Sequence, residues 1–265
     1  ETAAAEPSDE VANGGVGTVY SDDEQHLRIR TQTSGWMVNF LRECWSILKN
    51  PHFFVVLLGQ IASNFALGGL ADWIATFLLR YNGAEVSSAG LIVGASTIVG
   101  GIGGNILGCK TADYFKPKVK SAYFLVPAMF AVPGGLLLML CVNCVENLPM
   151  AVFLLFAANT CIWTYTAPIS AISIMVISPR LRAKSCGLLI FCQHILGDII
   201  SPPIIGAISD TYGLRAGLQI TWVAILLSAV IYFAGYKFLE PLENYDGTNR
   251  ETVEDIGLEH VEENG

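Results

Sequence analysis

Apolar residues gather in six blocks separated by short polar connections, near 53–79, 87–107, 122–142, 149–172, 187–207 and 216–236. About 20 residues at 1.5 Å each cross the roughly 30 Å of a bilayer's hydrocarbon, so each block predicts a transmembrane helix. Residues 35–50 behave differently, because their apolar positions recur at helical spacing among charges. They predict an interfacial amphipathic helix, ended by the Asn50–Pro51 step. Residues 1–34 and 239–265 are acidic and poor in large apolar side chains. Such segments cannot bury enough surface to offset ordering entropy, and both read as disordered cytoplasmic tails.

Composition supports the membrane reading: 52% of the 265 residues are hydrophobic, 14% are charged, and mean hydropathy is +0.50. Charge placement then orients the spans. Of the 15 Lys and Arg, only Arg80 and Arg215 fall on one side of the alternation, and 13 fall on the other. By the positive-inside rule both ends of the chain are cytoplasmic. The net charge of −8 arises in the tails, where residues 1–24 hold seven acidic side chains and residues 240–263 hold nine. Six of the seven cysteines lie in or beside apolar blocks and read as small buried hydrophobes. Cys141 and Cys144, at a non-cytoplasmic helix end, leave a disulfide conceivable. The opening residues Glu1-Thr-Ala-Ala-Ala, without an initiating Met, read as a cut within a longer protein.

Polar residues inside the blocks divide the spans. The third and sixth carry almost none and read as lipid-facing. The first carries Gln60, Ser63, Asn64 and Asp72; the fourth carries Asn159, Thr160, Trp163, Thr164, Tyr165, Thr166 and Ser170; the fifth carries Gln193, His194 and Asp198. These are expected to line something wet or to bind something polar. Gly100, Gly104 and Gly108 recur every four residues in the second span, a spacing that lets helix backbones approach closely. Pro127, Pro133, Pro168, Pro202 and Pro203 should kink or interrupt their helices.

His194 and Asp198 are four apart, so on a helix they share one face. Counted inward from Ser185, they lie about 14 Å and 20 Å deep, near the midplane. Histidine changes charge near neutral pH, and beside a carboxylate it could take up and release a proton. The plainer reading is a pair that packs helices together. Asp72 could act in gating or headgroup binding, or could simply reach the interface. Trp163, Tyr165, Phe65 and Phe191 either pack or line a cavity for an apolar tail. Arg180, Arg182 and Lys184 are either orienting charges or a latch to an acidic group elsewhere.

Six spans with cytoplasmic ends and a glycine-rich second helix resemble the C-terminal half, helices 7–12, of a major facilitator superfamily transporter. Gly104-Asn-Ile-Leu-Gly108-Cys-Lys110-Thr-Ala-Asp113-Tyr-Phe-Lys116 looks like a degenerate form of that family's cytoplasmic loop motif, with Tyr114 where a basic residue usually follows the Asp. The resemblance makes Asp113, Lys110, Lys116 and Arg182 the gating-loop residues. Gln193-His194-Ile-Leu-Gly197-Asp198-Ile-Ile-Ser201-Pro202-Pro203-Ile-Ile-Gly206-Ala-Ile-Ser209-Asp210 narrows it to the Spinster family, which Gly69-Leu-Ala-Asp72-Trp73 also resembles.

The fold class expected is therefore an all-α membrane protein of six transmembrane helices. The resemblance implies alternating-access transport of lysophospholipids or sphingoid lipids, commonly proton-linked, in a lysosomal, endosomal or plasma membrane. His194, Asp198, Asp72, Gln193, Asn64, Trp163 and Tyr165 are the expected coupling or cavity residues. The partners expected are a lipid metabolite, the bilayer and an N-terminal six-helix half, with no nucleic acid, cofactor or metal. A facilitator for sugars or organic anions is the alternative within the class, and a non-transporting receptor or scaffold lies outside it. A channel finds no support, since no span repeats Arg at every third position. An enzyme finds none either, since no nucleophile and base, metal cluster or phosphate loop has the required spacing.

Overall fold

The computed structural model describes residues 22–144, 146–239 and 241, with side chains from Gly35 onward. Two compact units divide it, 1–42 and 43–265. The chain runs through α1 (Asp22–Leu48), α2 (Pro51–Tyr81), α3 (Val86–Phe115), α4 (Ala122–Cys144), α5 (Leu148–Ile162), α6 (Thr166–Met175), α7 (Arg182–Gln193), α8 (Ser201–Tyr212) and α9 (Leu214–Phe238). A 3-10 turn over Trp163–Tyr165 joins α5 to α6, and a π-helical turn over His194–Asp198 ends α7. Six segments have the length and apolarity to cross a bilayer: α2, α3, α4, Leu148–Met175, Pro179–Tyr212 and α9.

Each span contains its predicted block, and most ends move outward by a few residues. The fifth span extends most, to Pro179–Tyr212, and α3 continues to Phe115 rather than ending near residue 107. Lys110 and Asp113 therefore lie on its last turns and not in a loop. Long polar side chains can reach the interface while their backbone stays helical. The helix ends at Pro117, which has no N–H to continue the ladder, with the Lys116 N–H still donating to Ala112 O at 2.8 Å.

The expected disordered segment also changes, since α1 begins at Asp22 and takes in residues 22–34 as well as the predicted interfacial helix. In the first unit Trp36 and Phe40 stack, with ring centroids 5.8 Å apart, and Trp36, Met37, Phe40 and Leu41 are exposed. Residues 1–21, and the tail but for Leu239 and Pro241, lie outside the described residues. Asn50 ends α1 as expected and caps α2, accepting from the N–H groups of His52 at 3.0 Å and Phe53 at 3.3 Å. Its amide also donates to Val176 O at 2.8 Å, tying the start of α2 to the end of α6. Cys141 and Cys144 form no disulfide. In α1, burial and the Glu43 carboxylate push the Cys44 thiol above its ordinary value, against a smaller pull from Lys184.

The core of the second unit lies where α2, α4 and α9 meet, around Phe53, Phe77, Phe124, Leu138, Leu155, Ile169 and Tyr232. The polar-poor α4 and α9 are thus not wholly lipid-facing, because apolar side chains serve helix contacts as well as lipid. Each keeps one outward stripe, Met129, Val132, Leu136 and Leu140 on α4 and Val223, Leu227, Val230 and Phe233 on α9. The glycine spacing in α3 has the predicted use. A Cβ on Gly104 would lie 2.6 Å from Thr160 O and 2.8 Å from Trp163 Cβ, and one on Gly108 would collide with Thr164 O.

This contact makes a direct prediction. Gly104→Ala should destabilise the purified protein by about 1–3 kcal/mol, the range for overpacking, read as an earlier thermal transition in detergent. Gly101→Ala, whose Cβ would meet nothing within 4 Å, should leave that transition in place.

Candidate functional site

The fifth span is broken where the sequence requires it. Neither Pro202 nor Pro203 has an N–H to donate, and each ring would collide with the carbonyl four residues earlier, that of Asp198 or Ile199. Both prolines occupy the first turn of α8, where a missing donor costs least. Upstream, the Ile199 N–H reaches five residues back to His194 O at 2.9 Å, which widens the helix into the π turn. Ser201 Oγ covers one freed carbonyl by donating to Asp198 O at 3.3 Å, and Trp73 Nε1 donates to Pro202 O at 3.1 Å, tying α2 to the first turn of α8.

Two glycines hold this turn against α2. A Cβ on Gly197 would lie 2.9 Å from Asn64 Cβ and 3.0 Å from Phe65 N, and one on Gly68 would lie 2.7 Å from Asp198 Cα. The near-contact fixes the height of Asp198 along α2. His194 Nδ1 and Asp198 Oδ2 pair across the turn, with side-chain exposures of 53% and 30%. The pair therefore faces open space and is not buried within the protein.

That space is a cavity of about 250 Å³ between α2, α3, α5 and the π turn. Leu67, Leu70, Ile74 and Val93 give it an apolar wall; Asn64, Ser96, Asn159, Trp163, His194 and Asp198 give it polar groups. Asn64 donates to Gln60 O at 2.9 Å and to Gln193 Oε1 at 3.4 Å. Asn159 donates to Ser96 Oγ at 3.0 Å. Among the described residues the buried indole N–H of Trp163 has no hydrogen-bond partner, which leaves a donor for an acceptor brought from outside. Among the described residues no Lys or Arg lines the cavity, and His194 is the one lining side chain that can carry a positive charge.

The expected residues fall into three groups. His194, Asp198, Asn64 and Trp163 line this cavity, and Gln193 joins it through Asn64. Tyr165 does not line it. It is buried, its ring stacks on Tyr232 at 6.4 Å, and its hydroxyl is within electrostatic range of Asn64 and Asp198. Asp72 is not brought there either. It opens on a separate groove with Trp73, Pro202 and Asp210. Of the expected gating residues, Asp113 forms no ion pair among the described residues, Arg182 Nε donates to its neighbour Ile177 O at 3.3 Å, and Lys116 lies over the Tyr123 ring. Lys184 instead pairs with Glu43.

Sequence reasoning passed over Ser96 and Thr97, which line the cavity, and expected Asn159 to face something polar without choosing it as a site residue. A signal existed. Asn159 and Trp163 are four apart on one helix and share a face, and Ser96-Thr97 is a polar step in an apolar run.

Comparison with known proteins gives a consistent set of likenesses. The family model of the Organic Anion Transporter Polypeptide (OATP) family matches residues 3–147, more than half of the chain. The chain is 27% identical over 238 residues to the Sphingosine-1-phosphate transporter SPNS2 of Danio rerio, covering 83% of this chain and 46% of that protein. It is 24% identical to Probable sphingolipid transporter spinster homolog 3 of Arabidopsis thaliana, covering 80% and 42%, and 30% identical to Protein spinster homolog 1 of Bos taurus, covering 62% and 34%. The chain thus spans less than half the length of these curated relatives. The proteins so named are transporters or Spinster homologues, not enzymes. A crystal structure of a bacterial homologue of the human lysosomal transporter Spinster, inward-facing and unoccupied, superposes with TM-score 0.65 at 20% identity, covering 76% of this chain and 50% of that one. The six spans have the fold of one half of such a transporter.

The π turn gives the site its own prediction. Gly197→Ala should push the turn off α2, slowing disulfide formation between cysteines placed at Asn64 and Gln193 at least severalfold in an otherwise cysteine-free chain. Gly187→Ala, whose Cβ would meet nothing within 4 Å, should leave the rate unchanged.

Proposed function

The chain belongs to the Organic Anion Transporter Polypeptide (OATP) family, and from that premise we propose that it is the six-span C-terminal half of a secondary transporter for lysophospholipid or sphingoid-type lipids. The observation that carries this reading is the cavity itself. It sets an apolar wall from α2 and α3 against polar groups at a broken helix, the division that an amphipathic lipid requires. Its volume of about 250 Å³ suits part of such a molecule, and the rest would lie in the space shared with a second six-helix unit. Transport would proceed by rocking one half against the other around a midplane site. The excess of Lys and Arg on one side supports cytoplasmic ends for this segment.

His194 and Asp198 are the groups we assign to proton linkage. The two side chains pair across the turn and both line the open cavity, which gives a proton a path to them. Protonation would break no covalent bond and would change the cavity's charge by one. Protonated His194 and the free Trp163 N–H would then face an anionic headgroup together. A second reading, an organic anion without a long tail, is favoured by the description of the matching family model. The two share a negatively charged head and differ in the need for the apolar wall.

In vesicles carrying the full-length transporter, uptake of a labelled lysophospholipid should depend on a pH gradient. His194→Ala and Asp198→Asn should each reduce the gradient-dependent part about tenfold or more, while protein abundance and monodispersity are retained. If both variants keep the full pH response, proton linkage at this pair is wrong. If Leu67→Asn slows lysolipid but not short-chain anion uptake, the lipid reading stands over the second one.

A further inference from the structure

At another place in the second unit, a groove of about 540 Å³ opens where the α3–α4 connection meets the end of α9. Lys118, Lys120, Ser121, Tyr236 and Lys237 line it, and no described carboxylate does. Neither Lys120 nor Lys237 forms an ion pair among the described residues, and Lys118 lies over the Tyr114 ring at 3.6 Å. Three ammonium groups gathered on one groove repel one another unless an anion joins them. Ser121 adds a hydroxyl. At φ 58° it is, among the described residues, the only non-glycine with positive φ, and it turns the chain directly into α4. The positive end of that helix dipole therefore lies beside the lysines.

The surface of α9 next to the groove continues the pattern. Lys237, Phe233, Val230, Leu227 and Val223 follow one another at three- and four-residue steps, and so share one face. The four apolar members are 51%, 64%, 53% and 47% exposed. This stripe runs about 21 Å along the axis, enough to follow an acyl chain through one leaflet, roughly 15 Å deep. A cationic groove above an exposed apolar track matches a molecule with an anionic head and a long tail.

We infer that this groove binds the headgroup of an anionic phospholipid from the surrounding leaflet, with an acyl chain laid along the Phe233–Val223 face of α9. Basic pockets at helix ends recognise phosphate-bearing lipids through charge and hydrogen bonds together. The groove is separate from the His194–Asp198 cavity, shares no lining residue with it, and does not depend on the transport reading. A free phosphate would use the lysines but leave the apolar track bare. The acidic segment 240–263 of this chain is the competing occupant, because it follows α9 directly and has opposite charge.

Native mass spectrometry of the chain in neutral detergent tests the assignment, with dioleoylphosphatidylglycerol and dioleoylphosphatidylcholine added at equal concentration. The phosphatidylglycerol should be retained preferentially. Combined Lys118→Gln, Lys120→Gln and Lys237→Gln should lower its retention about fivefold per charge removed, leaving phosphatidylcholine retention and the thermal transition unchanged. The corresponding triple Arg variant should retain phosphatidylglycerol. Equal retention by the Gln variant and the native chain overturns the proposal. So does phosphatidylglycerol binding that arises only after residues 242–265 are removed, which assigns the groove to the tail. Displacement of the lipid by an equal concentration of glycerol 3-phosphate also overturns it, since the groove would then be a phosphate site without a tail requirement.

Discussion

A backbone carbonyl that loses its helical partner at membrane depth has no water to turn to, and an unmet polar group there costs several kcal/mol. This constraint organises the functional half of the molecule. Pro168 and the Pro202–Pro203 pair each remove donors from the middle of a span, and a neighbouring helix closes in at each break. Trp73 on α2 reaches Pro202 O, and Ser201 covers Asp198 O. At the other break the α3 backbone closes on the Thr164 carbonyl through Gly108. The interruptions are thus also the points where separate helices are bound together. The glycines matter because only a helix without a side chain can come near enough to do this.

The same arrangement decides what the His194–Asp198 pair can contribute. Both side chains are partly open to the cavity, at 53% and 30% exposure, and ion pairs this exposed add at most about 1 kcal/mol to stability. Holding the bundle together is a poor account of two ionisable groups in an apolar span, because the glycine contacts and the α2–α4–α9 core do that work at closer range. What the pair does have is access, a common face and a wall of apolar side chains opposite. Those are the features on which the proposed binding and charge change rest. The lysine groove at the end of α9 differs in kind, because its charges are all of one sign and lie where the helix leaves the apolar layer.

Much of the fold was legible because hydrophobic length is a strong signal: all six spans follow from blocks of about 20 apolar residues. Their ends were less legible. Lys110 and Asp113 mark an interface and say little about where hydrogen bonding stops, so α3 ran on to Phe115. The Gly100, Gly104 and Gly108 spacing identified a close helix contact but not its partner, which depends on three-dimensional packing. For the site, His194, Asp198, Asn64 and Trp163 could be chosen as costly or polar residues in apolar runs, while Asp72 met the same criterion and faces another groove. Residue type indicates a functional need; direction depends on the helix turn. Ser96 was overlooked for the opposite reason, since it is unremarkable alone and becomes informative only through its hydrogen bond to Asn159 across two helices.

The π turn has a further effect on how this segment is to be compared with its relatives. A turn wider than an α-turn by one residue rotates everything after it by about 100° relative to an unbroken helix. The faces of α7 and α8 are consequently out of phase, and a residue-by-residue alignment that carries one heptad register through His194–Asp198 pairs lipid-side positions with inner ones. A relative lacking the extra residue would show a one-position gap here, and that gap would be a trace of how the fifth span acquired its break.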